Sequence, residues 1–185
     1  MSYVNKILTF TFVILLSVSG SRCSNLTDDL FPSSEDLSDT QTTSYDGDVG
    51  NIVDDLSFVD SDGISRNFSD YIPAQSGIVL YFTMWCAICT SHTDHIINNI
   101  EPFYANVTFL VVDYVSGSVS NTKTSAIATG INGKITVISD KNDTLADYFG
   151  GLMSKTVLID ANGEVLLNED FRNGARLENL LNTLP

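Results

Sequence analysis

The sequence predicts one α/β domain with a central mixed sheet, helices on both faces and an N-terminal β-hairpin. Two nearly continuous apolar runs, at 77–82 and 106–114, are typical of strands that are buried on both faces. A helical pattern separates them, and a strand, helix and strand connected in this way form a parallel unit. Asp-Gly and Asn-Gly turns, within 60–63 and 161–163, each separate two short strand patterns and predict antiparallel hairpins.

Length and charge restrict the number of domains and the kinds of partner that the chain can have. At 185 residues it is long enough for one domain with a hydrophobic core, but short for two. Its 9 Lys and Arg against 23 Asp and Glu give a net charge of -14. That charge repels nucleic acids and anionic lipid headgroups at long range, so we expect no nucleic-acid binding.

Residues 1–22 are predicted to be a secretory signal peptide or an N-terminal anchor, and either one delivers the domain outside the cytosol. Lys6 precedes an apolar run at 7–16, and small residues follow that run. The run is shorter than the roughly 20 apolar residues that a spanning helix needs, which favours the signal peptide. Cys23 stands where a bacterial lipoprotein carries its lipidated cysteine, but Arg22 occupies the position at which such signals need a small residue. Lipid attachment and a cysteine without a role both stay open.

Residues 23–50 are predicted to be an acidic, disordered tether. From 24 to 50 the segment is rich in Ser, Thr and Asp, with seven acidic residues and no Lys or Arg. It lacks the apolar periodicity of a core element, and its charges repel one another. An acidic metal or partner site is the alternative. The remaining domain, 51–185, keeps 16 acidic and 7 basic residues, so it is itself acidic.

Each further element of the domain is predicted from its own local pattern. The N-terminal hairpin pairs 56–59 with 64–68. The helix between the two buried strands covers 86–101, with three isoleucines at helical spacing and Pro102 at its end. The elements expected in the C-terminal half are a helix around 123–129 closed by Gly130, a helix capped by Asp143 or Thr144 and running to Phe149, strands at 155–160 and 164–167, and a leucine-striped helix that begins near Asn173.

Two cysteines in a Cys-x-x-Cys pair lie where the first buried strand meets its helix. Cys86 falls at the N-terminus of the helix, where free backbone N–H groups and the helix dipole favour a thiolate, so it is the candidate nucleophile. Cys89 lies one turn inside the helix, within reach of a mixed disulfide at Cys86, and is the candidate resolving thiol. A structural disulfide and metal binding are the alternatives.

The two histidines of the chain continue the cysteine spacing, as Cys86-x-x-Cys89-x-x-His92-x-x-His95. On one helix the first and last of these side chains lie about 13.5 Å apart along the axis, so they cannot surround a single zinc ion. We therefore expect no metal cofactor, although Cu(I) held by the two cysteines, with or without His92, stays an alternative.

His92, His95 and Trp85 lie near the cysteines in the sequence. His92 could take or give the proton that moves when Cys89 attacks, or it could be a partly buried helix residue bonded to the backbone. His95 is expected to be a surface residue. Trp85 could offer a flat apolar rim to a docking partner, or pack under the loop, or do both.

The chain resembles the exported thioredoxin-like proteins of the TlpA/ResA type, within the broader redoxin and peroxiredoxin-like superfamily. The likeness covers about 53–184, and its marks are the leading hairpin, the strand that runs into the Trp-Cys-x-x-Cys sequence, and the run at 156–163. The resemblance implies a thioredoxin-like fold and membrane-tethered thiol-disulfide exchange, often with apocytochrome in cytochrome c maturation. It also implies that Cys86 attacks and Cys89 resolves, while His92 falls where many members have a buried glutamate that modulates the pair.

Two departures from the related families concern the surroundings of the cysteines. The cis-proline that faces them in the family falls at Ser154, so we expect a trans peptide and an altered substrate groove at Met153 and Ser154. Thr83 matches part of the peroxiredoxin pattern, but Val79 stands where that pattern has a proline.

The sequence thus predicts an exported thiol-disulfide oxidoreductase at the periplasmic or extracytoplasmic face of the membrane. We expect a monomer without cofactor that acts on cysteine-containing exported proteins. A redox partner protein is expected to return its cysteine pair to the starting redox state. A thiol peroxidase and a Cu(I)-handling module are the alternatives.

Overall fold

The computed structural model of the protein describes residues 44–72 and 75–185. The predicted signal peptide or anchor at 1–22, Cys23, and the predicted tether as far as residue 43 lie outside the described residues. The hypotheses of export, membrane attachment and lipid attachment therefore stay predictions.

Seven strands of the described residues form one mixed sheet. They are β1 (Ser57–Asp60), β2 (Ser65–Asn67), β3 (Gly77–Thr83), β4 (Val107–Asp113), β5 (Thr136–Ser139), β6 (Lys155–Asp160) and β7 (Val165–Asp170). Their order in the sheet is β2-β1-β5-β4-β3-β6-β7. β4 is parallel to β3 and to β5, and the other neighbours are antiparallel. The predicted mixed sheet and its N-terminal hairpin are confirmed.

The α-helices of the described residues are α1 (Ala87–His95), α2 (Val119–Ala128), α3 (Thr144–Phe149) and α4 (Ala175–Leu181). α1 continues without a break into a π-helical turn, Ile96–Ile100, and a 3-10 turn, Glu101–Phe103, which together confirm the helix expected at 86–101. α2 begins earlier than expected because the Ser118 hydroxyl caps it by accepting the Asn121 N–H at 3.2 Å. None of these helices, within 44–72 and 75–185, is long and apolar enough to span a membrane.

The core lies on both sides of the sheet, because the alternate side chains of the fully buried strand β3 point to opposite faces. Val79 and Tyr81 pack with the helical segment after α1 and with α2 and α4. Ile78, Leu80 and Phe82 pack with α3 and the hairpin. The expectation of helices on both faces is confirmed.

Strand β5 is absent from the elements predicted above. It has four residues, and it joins the sheet by pairing in parallel with β4 and antiparallel with β1. Its buried Val137 and Ile138 continue the β-branched run that starts at Ile135, which is the local signal for it. This strand makes the N-terminal hairpin an extension of the main sheet.

The cap of α3 differs from the expected one. Asp143 occupies the N-cap position, but it adopts φ 57° and its side chain caps no backbone N–H. Asp140 caps the helix instead, by accepting the Leu145 N–H at 3.0 Å and the Ala146 N–H at 2.8 Å. Burial raises the pKa of Asp140, and these two backbone donors oppose that rise.

Residues 44–50, which we call the N-terminal strap, pack on the domain although the sequence placed them in the tether. The Gly47 N–H donates to the Tyr148 carbonyl, and the Gly50 N–H donates to the Val165 carbonyl, both at 2.9 Å. The Asn168 side chain donates to the Gly47 carbonyl at 2.9 Å. A Cβ atom at Gly47 would lie 2.1 Å from the ring of Phe149, so only glycine allows this approach. The strap therefore belongs to the same compact unit as the rest of the domain, Ser44–Pro185.

Removal of the strap should lower the stability of the domain. Chains 44–185 and 51–185 differ only in the strap. Its three hydrogen bonds to Tyr148, Val165 and Asn168 each contribute about 1 kcal/mol, partly offset by the entropy of ordering seven residues. We expect the free energy of unfolding of the shorter chain to be lower by about 1–3 kcal/mol, measured by urea denaturation. Equal stabilities would show that residue 51 is the true start of the domain.

Candidate active site

The turn between β3 and α1 directs Cys86 to the start of the helix. Trp85 lies in this turn with φ 62°, a left-handed conformation that is uncommon for a residue with a side chain. Its N–H donates to the hydroxyl of buried Thr83 at 3.1 Å, which stabilises the turn. Cys86 is the N-cap of α1, and its Sγ accepts the Cys89 N–H at 3.1 Å.

Cys86 and Cys89 are joined in a disulfide, with 5.0 Å between their Cα atoms. Cys89 is completely buried, whereas Cys86 is partly exposed. A partner molecule can therefore reach the first sulfur and not the second. The free N–H groups at the helix start favour negative charge on that first sulfur when the bond is broken.

Ser154, at the position where the resemblance predicts a proline, holds the loop that carries Met153. Ser154 adopts φ 66°, its N–H donates to the Phe82 carbonyl at 3.1 Å, and its carbonyl accepts the Phe171 N–H at 2.8 Å. The neighbouring Met153 is partly exposed, and its Sδ lies 3.6 Å from Cys86 Sγ. The structure thus places Met153 beside Cys86, with Ser154 next to it in the same loop, and their role as a substrate groove stays a prediction.

Trp85 both packs and borders the site. Its ring is half-buried against the core, and its Nε1–H donates to the Ser116 hydroxyl at 3.2 Å. Asp113 orders the loop that carries Ser116, because its buried carboxylate accepts the N–H groups of Val115 and Ser116 at 3.1 and 3.0 Å. The sequence places Asp113 within the strand predicted at 106–114 and does not indicate this contact with the following loop.

His92 lies one turn after Cys89 and is held from the sheet side. Its Nδ1 is hydrogen-bonded to the Tyr81 hydroxyl at 3.1 Å, and its ring centroid lies 4.8 Å from that of Phe171. Burial, and to a lesser extent the neighbouring His95, lower the pKa of His92 below its ordinary value of 6.5. Burial raises the pKa of Tyr81, so its hydroxyl keeps its proton.

His95 is not the surface residue that the sequence predicts, and that expectation is wrong. Its side chain is half-buried, with its ring centroid 6.0 Å from that of Phe171. Its Nε2 is buried without a hydrogen-bond partner among the described residues. The physical reason is that α1 runs directly into the buried turn Ile96–Ile100, so the end of the helix already faces the core.

Five exposed apolar side chains lie on the segments that carry Cys86, Met153 and Ser116, and we call them the apolar rim. Its members are exposed, and each is within two positions of Cys86, Met153 or the Trp85 partner Ser116. The rim consists of Met84, Ile88, Val115, Leu152 and Met153. The segments that carry it, 83–90, 114–118 and 150–154, contain no charged residue, although the chain has 32 Asp, Glu, Lys and Arg in total (23 and 9). Apolar contact is thus the main interaction that this surface can offer.

Comparison with known proteins finds one matching family model and several solved structures with the same fold. The family model described as Redoxin matches residues 48–179. Among curated proteins, no match is found.

Several solved structures share this fold. One is a protein proposed to be a disulfide isomerase, from Bacteroides thetaiotaomicron, with 20% identity, a TM-score of 0.63, and coverage of 76% of this chain and 91% of that one. DsbF of Mycobacterium tuberculosis has 17% identity, a TM-score of 0.59, and coverage of 71% and 96%. A cysteine-to-serine mutant of PrxQ from Xylella fastidiosa has 20% identity, a TM-score of 0.57, and coverage of 73% and 93%. At these identities the likeness shows the fold alone.

The reduction potential of the cysteine pair should depend on pH through His92. A protonated imidazole beside Cys89 favours its thiolate and so stabilises the dithiol form, which raises the potential. Because the pKa of His92 is lowered, this rise should begin only as the pH falls below 6.5. Proton uptake by the two thiols raises the potential at lower pH in any case. We expect His92→Ala to remove only the additional rise, in a potential measured between pH 5 and 8. His95→Ala should shift it to higher pH, because His95 contributes to the lowered pKa. Superimposable curves for the wild type and His92→Ala would show that His92 does not modulate the pair.

Proposed function

The chain belongs to the Redoxin family, and on that premise we propose that it is an exported thiol-disulfide oxidoreductase that exchanges disulfides with cysteine-containing proteins through Cys86 and Cys89. The observation that carries this proposal is the unequal exposure of the two bonded sulfurs. Cys86 is accessible at the start of α1, and Cys89 is completely buried behind it. This is the arrangement that a two-step exchange needs, since one sulfur meets the partner and the other releases it.

In the first step the reduced protein attacks its partner. The Cys86 thiolate bonds to one sulfur of a partner disulfide, and the other partner sulfur leaves as a thiolate and takes up a proton. In the second step Cys89 loses its proton and attacks Cys86 Sγ, which forms the Cys86–Cys89 disulfide and releases the second partner sulfur. Two electrons pass to the partner, and a dithiol redox partner returns them. The same steps run in reverse when the protein oxidises a dithiol.

Two groups assist these steps. The Cys89 N–H donates to Cys86 Sγ and stabilises negative charge on that sulfur. This sulfur is the attacking thiolate in the forward reaction and the leaving thiolate in the reverse reaction. Cys89 is buried, where an anion is unfavourable, so its deprotonation needs a nearby base. His92 is the modulating residue in this proposal, because it is one turn away and its lowered pKa keeps it neutral near pH 7.

The partner is recognised by the groove and the apolar rim. Trp85, Met153 and Ser154 border Cys86, and the rim around them carries no charge. A partner segment with apolar residues next to its cysteine fits this surface, whereas the net charge of -14 disfavours acidic partners. We propose exported cysteine-containing proteins as partners. The resemblance to the TlpA/ResA type adds apocytochrome c as one such substrate, and a monomer at the extracytoplasmic face of the membrane as the working form.

Turnover with single-cysteine variants tests this function. The full chain should catalyse the dithiol-dependent reduction of insulin disulfides, and Cys86→Ser should abolish turnover because the attacking sulfur is gone. Cys89→Ser should instead accumulate a mixed disulfide with the substrate, visible by non-reducing electrophoresis and mass spectrometry. Cys23→Ser, which leaves the pair intact, is the control and should retain full activity.

Peroxide consumption by the full chain distinguishes the proposed function from the thiol peroxidase alternative. Peroxide should be consumed slowly and without saturation. Fast, saturable peroxide consumption together with weak insulin reduction would assign the protein to the thiol peroxidases.

A further inference from the structure

A third sulfur lies next to the cysteine pair. Met153 Sδ is 3.6 Å from Cys86 Sγ, and Cys86 Sγ is itself bonded to Cys89. The left-handed backbone of Ser154, tied to Phe82 and Phe171, fixes the loop that presents this thioether. The groove and the apolar rim use the apolar surface of Met153, but disulfide exchange itself requires only the two cysteine sulfurs. Partner recognition therefore does not explain why a third sulfur lies beside the pair.

We propose that the dithiol form of the protein binds one Cu(I) ion through the sulfurs of Cys86, Cys89 and Met153. Two sulfurs bound to one metal at about 2.3 Å each can be at most about 4.6 Å apart, and the observed 3.6 Å between Cys86 and Met153 lies within that limit. The site goes beyond the proposed function, since it requires neither a protein substrate nor disulfide exchange.

The chemistry of the ligands selects Cu(I). Thiolate and thioether sulfurs are soft ligands that suit Cu(I), whereas zinc in proteins takes four ligands from thiolates, imidazoles and carboxylates. Across residues 44–72 and 75–185, no group of three or more His, Cys, Asp and Glu side chains is placed to hold a metal. His92 and the two cysteines therefore do not form a zinc site among these described residues.

The surroundings fit a cation held by two anionic sulfurs. The Cys89 N–H donates to Cys86 Sγ and so offsets part of the negative charge of the thiolates. Met153 and Cys86 are partly exposed and give the ion a path of entry, while Cys89 closes the inner side. The net charge of -14 attracts cations at long range.

The electrons and protons of the binding step balance. A dithiol reductant supplies two electrons and two protons, which break the Cys86–Cys89 bond and yield two thiols. Cu(I) then displaces both thiol protons and stays in the +1 state. A bound Cu(I) ion also prevents the disulfide from re-forming, so the metal and disulfide exchange compete for the same sulfurs.

Competition with a chromophoric Cu(I) chelator tests the site. The full chain carrying Cys23→Ser, reduced and kept without oxygen, should remove one equivalent of Cu(I) from bicinchoninate. Met153→Leu keeps the side-chain volume and removes the sulfur, so it should weaken binding at least about tenfold, because even the loss of a group that only supports a ligand costs 10–100-fold. Met84→Leu, an exposed methionine two residues before Cys86, is the matched control and should bind as the parent does.

X-ray absorption at the copper edge gives a second measurement that does not depend on affinity. The parent should show three sulfurs around copper, and Met153→Leu should show two. Any one of four results would overturn the inference. The parent could fail to compete for Cu(I), or show only two sulfurs around copper. Met153→Leu could bind as tightly as the parent, or Met84→Leu could lose as much affinity as Met153→Leu. The copper measurements contain no disulfide substrate, so they do not depend on the proposed exchange function. A protein that reduces insulin but does not bind Cu(I) would overturn the copper site and leave the proposed function standing.

Discussion

The hydrogen bond from the Cys89 N–H to Cys86 Sγ, at the first turn of α1, is the interaction on which the rest of the site depends. It forms because a fully buried strand, β3, ends at Thr83 and the left-handed Trp85 turns the chain into the helix. The sheet is rigid there, so the position of Cys86 is set by the core rather than by a mobile loop. The partial exposure of Cys86 follows from that position, and so do the thiolate and the access to a partner that we propose for it.

A single aromatic residue connects the two sides of the cysteine pair. Phe171 donates its N–H to Ser154, on the loop that presents Met153, and its ring packs against His92 and Tyr81 behind Cys89. The groove in front of the disulfide and the proton-bearing groups behind it therefore share one support.

The sequence predicts the centre of the site well, because its signals are local. A continuous apolar run, a Cys-x-x-Cys pair and a helical pattern follow one another, and each is read from adjacent residues. The parts that were missed depend on contacts between distant segments. Gly47 packs on Phe149, and Tyr81 bonds to His92 from another element, without any periodic pattern that marks these pairs. Strand β5 was missed because four residues are too short for a periodicity to appear.

The rate of alkylation of the reduced protein as a function of pH tests the central claim most directly. Iodoacetamide labelling of the Cys23→Ser chain, followed residue by residue by mass spectrometry, reports which sulfur is a thiolate and which is accessible. We expect Cys86 to react near neutral pH at least about tenfold faster than Cys89, and faster than a free cysteine, because the helix start stabilises its thiolate. Equal labelling of the two residues, or faster labelling of Cys89, would contradict the account.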